Sequence, residues 1–183
     1  MRVAILSDIH DNLWNLRTAI GSLGGSADQL ICCGDLCSPF VMDELGRFPG
    51  PVHIVFGNND ADLFRITRKS SARVQLYGEF FETELDGRKT AVNHFDNIVR
   101  PIALSGEYDL VCYGHNHEFR VMKLGRTTVV NPGPIMGAKF PSGKWTDVDP
   151  TFVVYDTAAD RVEAFAIREG TVRPHEFEIE TRW

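Results

Sequence analysis

The chain reads as an α/β protein with a single domain, residues 1–183, and three observations lead there. Short apolar runs alternate with segments of helical period through the first half. Hairpin-like pairs of runs fill the second half. The 183 residues, 43% of them hydrophobic, suffice for one substantial core and are short for two.

Residues 2–6 (RVAIL) form a continuous apolar run and predict a buried strand. Leu13, Leu16, Ile20 and Leu23 recur at helical spacing, and Gly24-Gly25 ends that helix. QLICC is a second buried strand, followed by Gly34-Asp35 and a helix-like VMDELGRF. VHIVF is a third strand, followed by Gly57-Asn58-Asn59-Asp60. Strand-then-helix alternation implies a mainly parallel sheet covered by helices. GEFFETEL, Asp86-Gly87 and RKTAVNH predict a hairpin. A helix follows in DNIVRPIALSG, with Pro101 near its start or at a kink. DLVCY is a strand ending at Gly114-His115, and FRVMKL with TTVVN forms another hairpin. Residues 132–150 read as a loop, TFVVYD and RVEAFAI as closing strands, with a further strand near 175–180.

The formal charge of −6 argues against a nucleic-acid backbone as main partner. No run of about 18 apolar residues occurs, so no membrane partner is expected. The chain starts on a strand and lacks the apolar core and cleavage site of a signal peptide. Cys32, Cys33 and Cys112 lie in or beside apolar runs, as small buried hydrophobes of a reducing cytoplasm do. Cys33 and Cys37 lack the second cysteine pair that would complete a thiolate metal site.

The chemistry lies at the strand ends. Asp8 and His10 follow the first apolar run, Asp35 the second and Asn58 the third; His94 follows a hairpin strand, and His115 with His117 follow DLVCY. Taken singly, each has a plain reading: a helix cap, a turn, a satisfied histidine. Taken together, they place seven oxygen and nitrogen donors where open α/β sheets gather ligands, at the carboxyl ends of strands. Desolvated carboxylates and imidazoles in one place are costly without cations.

SDIHDN, GD, GNND, a histidine after a strand and GHNH resemble the five sequence blocks of the calcineurin-like metallophosphoesterases. Length, NPGP and the PTFVVYD strand resemble their small YfcE-type phosphodiesterase branch. The resemblance implies two mixed β-sheets packed as a sandwich flanked by helices. It implies two divalent metal ions, Mn²⁺ first, with Ni²⁺, Fe²⁺, Zn²⁺ or Mg²⁺ as alternatives. Asp8, His10 and His117 would hold one, Asn58, His94 and His115 the other, and Asp35 would bridge. Asp35, Asn58 and His94 are then the catalytic candidates, and Asn12, Asn59 and Asp60 the substrate contacts. The implied activity is hydrolysis of small phosphodiesters by metal-activated hydroxide attack.

Two positions depart from the family pattern. Asn59 stands where many members carry a histidine that protonates the leaving group, which points toward diesters. Phe95 stands where a glycine usually follows the block-four histidine. A non-catalytic scaffold of the same fold, like the retromer subunit, is the competing class; retention of all seven donors favours an enzyme. A phosphomonoesterase, a nuclease and a homo-oligomer remain open alternatives. Arg65, Arg68, Lys69 and Arg73 read as a solvated helix face, and Phe140, Lys144 and Trp145 as a cover for the site or surface packing.

Overall fold

The computed structural model describes residues 1–183 and contains two large β-sheets packed face to face, with a separate two-stranded one. In chain order the strands and helices are β1 (Arg2–Leu6), α1 (Leu13–Leu23), β2 (Gln29–Cys32), α2 (Pro39–Leu45), β3 (Val52–Ile54), α3 (Leu63–Arg68) and β4 (Val74–Leu76). Then come β5 (Phe80–Leu85), β6 (Arg88–Asn93), α4 (Asp96–Leu104), β7 (Leu110–Cys112), β8 (Phe119–Leu124) and β9 (Thr127–Pro132). The chain closes with β10 (Ala138–Lys139), β11 (Thr146–Asp147), β12 (Thr151–Asp156), β13 (Arg161–Arg168) and β14 (Thr171–Pro174).

The first sheet runs β14-β13-β12-β1-β2-β3-β4, with β1 to β4 parallel and the β12 side antiparallel. The second runs β5-β6-β7-β9-β8, with β6, β7 and β9 parallel and a hairpin strand at each edge. Side-chain alternation sorts each strand between two cores. In β1, Val3 and Ile5 face the second sheet, while Ala4 and Leu6 pack under the helices. β2 repeats this, with Ile31 between the sheets and Leu30 and Cys32 beneath α1 and α2. A smaller core beneath α4 holds Val111, Val129 and Val99. Burial of each such residue contributes about 1.5–3 kcal/mol, so strands buried on both faces need no polar alternation.

The structure corrects the sequence reading at several elements. Pro101 lies well inside α4, which removes the first of its two expected placements, near the helix start. Only one hydrogen bond is lost there, and its would-be acceptor, the Asn97 carbonyl, belongs to an exposed residue that water can reach. Residues 132–150 are not wholly loop: β10 and β11 form a two-residue ladder, Ala138 opposite Asp147 and Lys139 opposite Thr146. The last strand is 171–174; of the segment expected near 175–180, only Glu180 makes a single bridge to Met122. No helix is long and apolar enough to cross a membrane.

Because β1, β2 and β3 are parallel, as are β6 and β7, each set delivers its following loops to one end of its sheet. Backbone bonds then tie the loops together. His10 N–H and Ile9 N–H donate to the Asp35 carbonyl at 3.0 Å, and Gly114 N–H donates to the His94 carbonyl at 3.0 Å.

Candidate metal centre

The seven expected donors meet at this shared rim. His117 Nε2 lies 3.3 Å from Asp8 Oδ1 and 3.1 Å from His10 Nε2. His10 Nε2 lies 3.4 Å from Asp35 Oδ2. Ligand atoms of Asp8, His10, Asp35 and His117 all fall within 4.8 Å of one another. A second trio meets at the Asn58 amide oxygen, 2.8 Å from His115 Nδ1 and 3.1 Å from His94 Nε2. His94 Nε2 is also 3.4 Å from Asp35 Oδ2, so Asp35 touches both groups.

The burial is graded. Asp8, Asp35, His94 and His117 are buried, whereas Asn58 and His115 are exposed, so the site opens to solvent on the Asn58 side. The backbone is strained to bring these groups together. Asp8, His10, Asp35, His115 and His117 adopt φ of 51°, 43°, 56°, 72° and 57°. Left-handed conformations of this kind cost roughly 1–3 kcal/mol each and persist where the surroundings over-determine them. Two glycines allow the close approach. A Cβ on Gly57 would sit 2.8 Å from His94 Cε1, and one on Gly114 would sit 2.6 Å from Asp8 Oδ2.

The donor chemistry fits divalent cations. His94 Nδ1 and His117 Nδ1 each lie 2.7 Å from a backbone carbonyl, of Cys33 and Ala138. A carbonyl only accepts, so Nδ1 carries the hydrogen and each Nε2 faces a carboxylate, donating to it when the ring is protonated and free to ligate a cation when it is not. A nitrogen pair 3.1 Å apart, flanked by acids, is the crowding a cation relieves. Burial pushes the Asp35 carboxyl up, but the His94 hydrogen bond and charge, with Asn59, hold it well below the usual carboxylate range. Burial depresses the imidazoles of His94 and His117, and the bonds to Asp35 and Asp8 override it and raise both. His10 moves the other way, depressed by burial. Cys37 Sγ lies 3.5 Å from His10 Nδ1, and burial pushes its thiol up to about 12. Cys33 instead lies in the core between the sheets, so the two cysteines do not form a shared site.

Three residues expected at the substrate have hydrogen-bond partners within the protein. Asn12 caps α1: its side-chain oxygen accepts from Asn15 N–H at 3.1 Å, and its amide donates to the Met136 carbonyl at 3.1 Å. Such a cap contributes about 1 kcal/mol. Asp60 turns inward and accepts four backbone N–H groups, from Gly57 (2.7 Å), Leu36 (2.7 Å), Cys37 (3.0 Å) and Asp35 (3.1 Å). It clamps the loops after β2 and β3 together. Asn59 holds Asp35 itself, with backbone N–H to Oδ1 and side-chain amide to Oδ2, both at 2.8 Å. Phe95 takes an ordinary extended conformation, φ −90° and ψ 131°, so no glycine is required there. Its ring packs edge-on against His94 (5.1 Å) and His115 (5.0 Å), leaving both at the rim.

A two-sheet sandwich with carboxylates, an amide and imidazoles gathered at its strand ends defines the metallophosphoesterase class. The family model of the calcineurin-like phosphoesterase superfamily domain matches residues 1–160, and the chain belongs to that family. Phosphodiesterase MJ0936 of Methanocaldococcus jannaschii is 31% identical over 142 residues, 75% of this chain and 86% of that protein. A solved archaeal phosphodiesterase superposes with a TM-score of 0.79 at 28% identity, covering 91% of this chain and 99% of the other. Vps29 of Cryptosporidium parvum superposes with a TM-score of 0.72 at 18% identity, covering 95% of each chain, which shows the shared fold.

Proposed function

We propose that the chain is a dinuclear metal-dependent phosphodiesterase acting on small phosphodiesters, with Mn²⁺ as the preferred ion. The observation that carries this reading is Asp35, whose Oδ2 lies 3.4 Å from both His10 Nε2 and His94 Nε2. One carboxylate thereby joins two sets of donors. Asp8, His10 and His117 would hold one ion, Asn58, His94 and His115 the other, and Asp35 both. Two bound divalent ions supply Lewis-acid charge for the phosphate oxygens and lower the pKa of a water. The carbonyls of Cys33 and Ala138 fix the imidazole planes, and Asn59 fixes the carboxylate plane of Asp35. The exposed Asn58 and His115 make the face by which a phosphoester enters. The buried thiols of Cys32, Cys33 and Cys112 suit a reducing cytoplasm.

The residue type at position 59 supports this substrate class. The Asn59 amide is held to Asp35 Oδ2 and has no acidic proton to give, so departure of a poor leaving group is unassisted at this position. Where a departing oxygen needs a proton, a general acid contributes about 10²–10⁴-fold. Diesters with good leaving groups should outpace alkyl monoesters in a chromogenic screen with Mn²⁺ or Ni²⁺. Asn59→His should speed alkyl-ester hydrolysis more than aryl-ester hydrolysis. An unchanged alkyl-to-aryl ratio would remove the basis for the diester preference.

The fold shared with Vps29 supports a scaffold as second reading. The seven clustered donors favour the enzyme.

A further inference from the structure

A cavity of about 630 Å³ opens beside the donor cluster, and a hollow of about 340 Å³ lies next to it. Both are lined by His117, Glu118 and Lys139, so one polar groove runs outward from a proposed metal ligand. Lys139 directly follows Ala138, whose carbonyl holds His117 Nδ1. Farther along, Arg120 is paired with Glu180 at 2.6 Å, and Asp149 with Arg168 at 2.7 Å. Lys139 has no such partner, although its side chain is half-buried between the two hollows. Phe140 stands edge-on to the His117 ring at 5.5 Å and leaves 45% of its surface exposed. Glu118 lines the same two hollows and also lacks an ion-pair partner, so it and Lys139 are the groove's two unpaired charges. The ammonium is the one of the pair that can read an anion.

We propose that this groove is a subsite for a second phosphate group on the substrate, read by Lys139. The inference rests on the phosphodiesterase reading and narrows it. The scissile phosphate would lie among the seven donors, and its substituent would extend past His117 with Phe140 as a flat wall. The favoured class is then a phosphodiester carrying a further terminal phosphate, as an ester of a nucleoside 3′,5′-bisphosphate does.

A matched pair tests it: the p-nitrophenyl ester of thymidine 5′-phosphate with and without a 3′-phosphate, assayed on the Mn²⁺-loaded protein. The added phosphate should raise kcat/KM about tenfold, near the low end for a charge-assisted hydrogen bond. Lys139→Ala should bring the ratio close to one, and Lys139→Arg should keep most of it. Calorimetric binding of thymidine 3′,5′-bisphosphate against thymidine 5′-phosphate should show the same preference and the same loss. A wild-type ratio near one, or a ratio that survives Lys139→Ala, overturns the subsite. Absence of turnover with both esters would instead count against the phosphodiesterase reading, and the calorimetric ratio then decides the subsite alone.

Discussion

Replacing Asp35 by Asn is expected to lower phosphodiester turnover by about 10³-fold and to reduce bound metal, a larger loss than His10→Asn causes. The side chain keeps its shape and one oxygen, so the change removes mainly charge. At about 4 Å and an effective dielectric constant near 20, one unit charge contributes about 4 kcal/mol, which corresponds to about 10³ in rate. His10 is neutral as a ligand and serves one proposed ion, whereas Asp35 lies against His10 and His94 at once. Metal content by mass spectrometry and initial rates on an aryl diester give the comparison. If Asp35→Asn retains two metals per chain and the normal rate, its assignment as the bridge is wrong.

Asp60→Asn should act on the fold. The carboxylate satisfies four N–H donors drawn from two loops. An amide offers one oxygen and turns its NH₂ on two of those donors, and each buried donor left without a partner costs about 1–3 kcal/mol. The expected destabilisation is about 2–6 kcal/mol, a fall in Tm of roughly 5–15 °C for a domain of this size. Burial, together with the neighbouring Asp35 charge, pushes the Asp60 carboxyl up against the pull of its N–H donors. A proton-donating Asp60 would behave otherwise: its Asn variant would keep the wild-type Tm and selectively slow alkyl esters. Thermal unfolding and the alkyl-to-aryl ratio, measured on the same sample, separate the two roles.

The contrast between Asp35 and Asp60 shows what the sequence makes legible. Asp8, Asp35, Asn58, His94 and the histidine pair were readable because each interrupts a buried apolar run, where a polar group needs a compensating partner. The strands bearing them were readable for the same reason, since β1, β2 and β7 are buried on both faces. Asp60 was not, because its four donors lie in backbone that only the folded loops bring near. Asn12 and Asn59 likewise took roles set by Met136 and Asp35, far away in sequence. The short pieces are illegible in the sequence for a related reason. β4 has three residues and β10 two, and pairing with β3 and β11 defines them more than any pattern of their own. Lys139 and Phe140 therefore read as part of a loop, although β10 carries Ala138, the anchor of His117, and leads directly into both.

The central claim, that phosphoester hydrolysis here depends on metals held by these seven residues, is tested most directly by metal removal. Metal content should be measured by mass spectrometry before exhaustive chelation, after it and after re-addition of Mn²⁺ or Ni²⁺, with diester hydrolysis assayed at each stage. Two equivalents per chain, activity lost with them and activity regained with them are the predicted results. Full hydrolysis by a sample shown to be metal-free would contradict the account.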